Sequence, residues 1–293
     1  MQKLGNHDHY YHTHSDFFKN SYDLVHAFVM TDYDIGMHEQ EFYEINIISR
    51  GNGTHYINNN LVDAKAGDVF IIPPHIAHGY VGGNGFDVFH LILSDAFMHK
   101  YTADLQQLPS FHKLFGVEPL MRGKTNYPLH LSLSKTELSQ AVNILIEISR
   151  YINYSNPTES LIRSNLAMAS IGLLCNTYYT PNTYATSTED SSLMDSISYI
   201  HERYYEKITI DHLMQISHMS RTSYIKKFRD ICKMSPAAYI TKIRIESASV
   251  MLLNTPLSVS EIAYKTGFYD ASHLSKTFEK IYHISPMIFR KNN

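Results

Sequence analysis

Three side chains of this sequence, His38, Glu44 and His78, could form a reactive or binding centre if the fold brings them together. Two imidazoles and a carboxylate can hold a first-row divalent metal. Gln40, standing between them, is a poor ligand for such an ion, but its amide can both donate to and accept from a hydroxyl group. Alternation along an extended strand places His38, Gln40, Phe42, Glu44 and Asn46 on one face, and Tyr43, Ile45 and Ile47 on the other. Lining the mouth of a barrel, such a face would suit a sugar, because hydroxyl groups need fixed donors and acceptors and the ring face needs an apolar or aromatic wall. Tyr56 and Tyr80 are further candidates for the same pocket. The plainer alternative is that the polar face is solvated and the apolar face is core.

The surrounding sequence indicates what would position these residues. From about Tyr22 to Leu93 the chain is rich in β-branched and aromatic residues and is broken by turn clusters such as Gly51-Asn52-Gly53 and Gly82-Gly83-Asn84-Gly85. This texture predicts an antiparallel barrel or sandwich over residues 21–133, preceded by a His-rich polar arm over 1–20 (His7, His9, His12, His14). Helical spacing begins at Ser134. One helix carries Leu138, Val142, Leu145, Ile146 and Ile148, and a second starts near Pro157, so that residues 134–180 form a helical element. Residues 181–190, with Pro181 and many Thr and Ser, read as a linker.

After the linker the chain repeats itself. Phe228…Ser235-Pro236 recurs 50 residues later as Phe278…Ser285-Pro286, with Tyr224 matching Leu274 and Ile231 matching Ile281. Upstream of Ser220 and Asp270 the offset drops to 49, so the second turn has one extra residue. Each unit reads as helix, tight turn, helix. Ser258…Glu261 fits a capping box, Gly267 supplies a turn, Ser220 and Asp270 cap the helices that follow, and each Ser-Pro pair marks a helix start. With Tyr224, Phe228, Leu274 and Phe278 pointing inward, the outward sets are Arg221, Thr222, Ile225 and Lys226 in one unit, and Ser272, His273, Ser275 and Lys276 in the other.

These residues resemble the C-terminal domain of AraC/XylS transcription regulators, through Arg244…Ala248…Leu252-Leu253, Glu261-Ile262-Ala263, Gly267-Phe268-Tyr269-Asp270, Phe278 and Ser285-Pro286…Phe289-Arg290. The chain departs from the family at Lys233 and His283, where glycine is usual and a left-handed helix cap is implied. The resemblance implies that Thr222, Ile225, Lys226, Ser272, Ser275 and Lys276 face bases, with His273 beside them, while Arg221, Lys227 and Lys280 meet phosphates. Two units on one helical rod would address major-groove segments about 34 Å apart.

His38-x-Gln40-x3-Glu44-x6-Gly51 and Gly67-x5-Pro73-x4-His78 resemble the two cupin motifs, and also the effector-binding half of sugar-responsive AraC-type regulators. Gln40 replaces a ligand His, His75 a motif Gly, and Gly82 an expected Asn. The resemblance implies a barrel that holds a small molecule and no metal or other cofactor, with pocket residues His38, Gln40, Glu44, Asn46, Tyr56, His78 and Tyr80. It also implies that helices 134–180 dimerise, although packing against the barrel would explain their pattern equally well.

The expected architecture therefore has two domains. An N-terminal all-β cupin-like barrel with dimerisation helices precedes a C-terminal all-α double helix-turn-helix over residues 191–293. The expected partners are double-stranded promoter DNA, a sugar-like effector, a second copy of the chain and RNA polymerase. The rival readings are a metal-dependent cupin enzyme with a DNA-binding tail, and a regulator with no small ligand.

Composition fits this. With 44% hydrophobic and 18% charged residues among 293, the chain can bury two cores. Residues 188–293 carry a net charge of +3 and the rest −6, which gives the overall −3 and puts the basic part at the C-terminus. No run of about 18 apolar residues exists, which argues against a membrane. The two distant cysteines, Cys175 and Cys232, and the polar N-terminus fit a cytoplasmic protein.

Overall fold

The computed structural model describes residues 10–57, 60–108, 110–121, 131–179 and 189–292, in two units divided near residue 184. His7 and His9 lie outside the described residues, as does the expected linker up to Thr188.

The N-terminal unit begins with β1 (Tyr10–His12) and α1 (His14–Phe17), followed by β2 (Val25–Met30), β3 (Ile35–Gln40), β4 (Tyr43–Arg50), β5 (Asn52–Ile57), β6 (Asn60–Lys65), β7 (Asp68–Ile72), β8 (His78–Val81) and β9 (Asp87–Leu93). Helices α2 (Asp95–Lys100) and α3 (Thr102–Leu105), a π-helical turn (His112–Val117) and α4 (Glu118–Met121) come next, then the short β10 (Leu131–Ser132). Helices α5 (Lys135–Ser149) and α6 (Pro157–Tyr179) complete the unit.

The strands form two five-stranded sheets, in the orders β1-β3-β8-β5-β6 and β10-β7-β4-β9-β2. Two expectations change here. The arm expected over 1–20 is structured from Tyr10, where β1 pairs in parallel with β3. The barrel expected over 21–133 turns helical at Asp95.

Register decides which residues share a face. Glu44 lies opposite Ile72 and Ile92, and Asn46 opposite Phe70 and His90, so all of these point into the barrel. One residue out of phase, Ile45 opposes Ile71 and Leu91, and Ile47 opposes Val69 and Phe89. The alternation was read correctly, but neither face is wet. The apolar face packs against Leu145 and Ile148 of α5 and Ala167, Ile171 and Leu174 of α6, in a cluster that also takes in Phe97, Leu114 and Phe115. Packing on the barrel thus accounts for the buried faces of α5 and α6 but not for Ile146, which is exposed. Each fully buried aliphatic side chain contributes roughly 1.5–3 kcal/mol.

The C-terminal unit consists of α7 (Glu189–Arg203), α8 (Ile210–Ser217), α9 (Arg221–Cys232), α10 (Pro236–Asn254), α11 (Val259–Lys265), α12 (Ala271–Tyr282) and α13 (Pro286–Asn292). The caps sit where the sequence puts them. Ser220, Ser235 and Asp270 accept from backbone N–H groups, and Ser258 and Glu261 close a capping box. The repeat is structural as well. Phe228 meets the Tyr239 ring edge-on at 5.5 Å, and 50 residues later Phe278 meets Phe289 in the same way at 5.2 Å. Gly267 takes φ +77, and a Cβ there would also strike the carbonyl oxygens of Tyr204 and Tyr205 at 2.9 and 2.8 Å, so two constraints favour glycine. Its counterpart 49 residues earlier, His218, adopts φ 52 despite its side chain.

Candidate effector pocket and DNA-binding helices

The chain crosses from one sheet to the other between Gln40 and Tyr43, so the expected single strand is two strands joined at a corner. Side-chain parity survives the corner: His38, Gln40, Phe42, Glu44 and Asn46 are all buried. Inside the barrel is a cavity of about 150 Å³. Its polar lining is His12, His38, Gln40, Glu44 and His90, and its apolar lining is Phe17, Phe28, Met30, Tyr33, Ile35, Phe42 and Ile92.

Glu44 is the centre of this polar cluster. His90 donates from Nδ1 to Glu44 Oε1 at 2.6 Å, and His78 Nε2 lies 3.1 Å from Glu44 Oε2. Burial alone would raise the carboxyl pKa, but the hydrogen bonds from His78 and His90 outweigh it and hold Glu44 well below the ordinary carboxylate range. Burial pushes His38 down to about 4, and neighbouring His78 acts in the same direction. Burial also raises the Tyr33 phenol, with Glu44 and Tyr80 adding to the effect. Gln40 is 1% exposed, and neither of its amide atoms has a hydrogen-bond partner.

Of the seven residues expected in the pocket, His38, Gln40 and Glu44 line the cavity. His78, Asn46 and Tyr80 are buried behind it, with Asn46 donating to the Tyr80 hydroxyl at 3.1 Å. The reading of Tyr56 is corrected. It pairs with Gly79 and stands half-buried on the outer face, while its neighbour His55 pairs with Tyr80 and points inward, stacked 4.4 Å from the Tyr80 ring. His90, Phe28 and Tyr33 were missed because they come from strands with no motif of their own. His12 and Phe17 were missed because the arm read as a tail.

In the C-terminal unit, α9 buries Tyr224, Phe228, Ile231 and Cys232, and α12 buries Leu274 and Phe278. The opposite sides present the expected residues. Arg221, Thr222, Lys226, Ser272, His273, Lys276 and Lys280 are exposed, and Ile225, Lys227 and Ser275 are half-buried. Arg221 pairs with Asp211 at 3.2 Å across a solvated surface, and the backbone N–H of His273 donates to the capping Asp270. Ser223 is exposed on the same face of α9 and was not singled out from the sequence. Lys233 and His283 end the two helices at φ 57 and φ 59, the left-handed caps implied by the missing glycines. Among the described residues no helix is long and apolar enough to cross a membrane, and both cysteines are buried free thiols.

Comparison with known proteins agrees with both halves of this geometry. The model of an AraC-like ligand binding domain matches residues 22–168, and that of a helix-turn-helix domain matches residues 213–292. The HTH-type transcriptional activator RhaS of Enterobacter sp. (strain 638) is 20% identical over 254 residues, covering 87% of each chain. RhaS of Klebsiella pneumoniae (strain 342) is 22% identical over 256 residues, again covering 87% of each. Among solved structures, the DNA-binding domain of AdpA in complex with a target DNA is 24% identical, covers 34% of this chain and 91% of its own, and superposes with a TM-score of 0.34. With one model spanning the barrel and its helices and the other the second domain, the chain belongs to the AraC family of DNA-binding transcriptional regulators.

Proposed function

We propose that a small hydroxylated molecule of the sugar type, seated in the barrel cavity, controls how this regulator engages promoter DNA. The observation that carries this reading is Gln40, a buried amide with both polar atoms unsatisfied that lines the barrel cavity. An unmet buried polar group costs roughly 1–3 kcal/mol, which a ligand hydroxyl would recover. A cavity of about 150 Å³ takes a six-membered ring. Hydroxyls on one edge of that ring would face Gln40, His38 and Glu44, and its apolar face would lie on Phe28 and Phe42.

The two helix-turn-helix units supply sequence readout, with Thr222, Ile225, Lys226, Ser272, Ser275 and Lys276 at base edges, His273 beside them, and Arg221, Lys227 and Lys280 on phosphates. We assign the regulator to activation, acting as a homodimer that contacts RNA polymerase. The names of the RhaS relatives support activation, and the exposed apolar residues Ile146 and Leu161 on α5 and α6 support a dimer. The test is thermal unfolding of the full chain against a panel of monosaccharides and other small cyclic polyols, repeated with Gln40→Leu. The expected result is that one sugar raises the melting temperature and shifts DNA affinity, and that Gln40→Leu abolishes both effects while DNA binding itself persists. Identical stabilisation of the two proteins would place the ligand elsewhere.

A further inference from the structure

The two helix-turn-helix units close their turns in the same way, and the likeness isolates one residue. Between α8 and α9 the Met219 N–H donates to the Met214 carbonyl at 3.3 Å, and between α11 and α12 the Phe268 N–H donates to the Ala263 carbonyl at 2.9 Å. His218 and Gly267 both take left-handed angles, at φ 52 and φ 77. Met219 and Phe268 are both buried, and Ser220 and Asp270 both cap the helix that follows. The offset is 49 between Met219 and Phe268 and 50 between Ser220 and Asp270, which leaves Tyr269 as the extra residue of the second turn.

The turn does not need this residue, because the first unit closes without a counterpart. The core does not use it either. Tyr269 is 93% exposed, more than any other large apolar or aromatic side chain among the described residues. The position just after the cap differs as well. The first unit has the exposed Arg221 there, and the second has Ala271. Helix α9 therefore opens on a guanidinium, whereas α12 opens on a methyl group with a phenol one residue before its cap.

We propose that the Tyr269 hydroxyl donates to a DNA phosphate at the rim of the groove that α12 enters, taking the place that Arg221 fills in the first unit. The N-terminal residues of a recognition helix meet base edges, so a side chain just ahead of the cap lies over the sugar–phosphate strand bordering the groove. Tyrosine hydroxyls are among the groups that hold phosphates, and a charged acceptor strengthens the bond. The two contacts are not equivalent. A guanidinium displaces a counterion and so weakens as salt rises, whereas a hydroxyl displaces none. The inference rests on α12 being a reading helix, and the experiment tests the two separately.

The full-length protein is used to select duplex DNA from a random pool, and the affinity of each variant for that DNA is measured across a range of salt concentrations. Tyr269→Phe keeps the ring and removes only the hydroxyl. It should bind every sequence about tenfold more weakly, with the sequence preference and the salt slope of the parent. Arg221→Ala should instead lower the slope by about 1. Adding Ala271→Arg to Tyr269→Phe should restore affinity and raise the slope by about 1. Lys276→Ala, measured alongside, should relax sequence preference. Parent-like affinity of Tyr269→Phe while Lys276→Ala relaxes preference would refute the contact and leave the reading helix in place. A changed sequence preference in Tyr269→Phe would make the hydroxyl a base reader and refute the phosphate assignment. Unchanged preference in Lys276→Ala would take α12 out of the groove, and the Tyr269 contact with it.

Discussion

The left-handed caps of α9 and α12 offer a perturbation whose sign and size follow from two backbone angles. Lys233 sits at φ 57, ψ 12 and His283 at φ 59, ψ 11. A residue with a Cβ in this region is disfavoured by about 1–2 kcal/mol, a cost that glycine does not carry. Glycine also makes the unfolded chain looser, which returns about 0.4–1 kcal/mol of the gain. Each of Lys233→Gly and His283→Gly should therefore stabilise the C-terminal unit by about 0.5–1 kcal/mol. The sites lie in different helix-turn-helix units, so the double variant should gain about 1–2 kcal/mol. For a domain of this size that is a rise of roughly 4–15 °C in melting temperature. The chain has no tryptophan, so helical circular dichroism and calorimetry of the full protein are the suitable assays, with the C-terminal transition followed separately. Lys233→Ala is the control. It keeps the Cβ and so gains nothing from relief of φ. Stabilisation of the alanine variant equal to that of the glycine variant would show that the lysine side chain, and not the backbone angle, set the cost.

Other perturbations test the two halves separately. Lys226→Ala and Lys276→Ala should each relax sequence preference in a different half of the bound DNA segment, seen by selecting bound sequences, and unchanged preference in both would remove these lysines from base readout. Arg221→Ala should weaken binding to all sequences alike and lower the salt-dependence slope by about 1, and an altered sequence preference would instead make it a base reader. Glu44, whose ordinary value is 4.5, is held well below it, so its stabilisation is full above about pH 4.5 and is lost as the pH falls toward its folded value. Glu44→Gln should be less stable at pH 7 and less acid-sensitive below pH 4.5, and acid unfolding profiles of unchanged shape would contradict this. Gly82→Ala drives a Cβ into the Phe86 ring and the Tyr33 carbonyl, and should cost about 1–3 kcal/mol by thermal unfolding. A neutral result would show that Phe86 can move aside.

What could be read in the sequence was whatever local chemistry fixes. Ser220, Ser235, Ser258 and Asp270 announce helix starts because a short oxygen-bearing side chain before a helical run has one good use there, and all four cap. The two caps at Lys233 and His283 could be inferred only through the resemblance, from the glycines the family usually places there. The pocket could be read only as far as one strand's parity reaches. His38, Gln40 and Glu44 follow from alternation along β3 and β4. Choosing between His55 and Tyr56 requires the register of β5 against β8, two strands separated in sequence by β6 and β7. A slip of one residue exchanges the two faces, and nothing local forbids it. The departures from the motif likewise have non-local causes. His75 takes φ 62 with its ring held by Tyr11, and Gly82 is required by Phe86 and Tyr33 rather than by its neighbours in sequence.

The placement of the two cores explains how a barrel can carry so polar a centre. A polar interior costs stability wherever a buried atom goes unmet, and Gln40, Asn46 Oδ1 and His90 Nε2 are unmet. In a barrel whose only core was its interior, that cost would fall on the fold itself. Here the outer face of the β10-β7-β4-β9-β2 sheet is the main apolar core, closed by α5, α6 and the helical turns after β9. The interior is thereby largely released from holding the domain together, apart from two small apolar groups, one around Phe70, Tyr80 and Phe86 and one around Phe18, Phe42 and Ile92. Because Ile45 and Ile47 alternate with Glu44 and Asn46 along β4, the stabilising face and the binding face lie within one strand, one peptide unit apart. A displacement of Glu44 toward a cavity ligand would therefore be felt directly on the face of β4 that packs on α5 and α6.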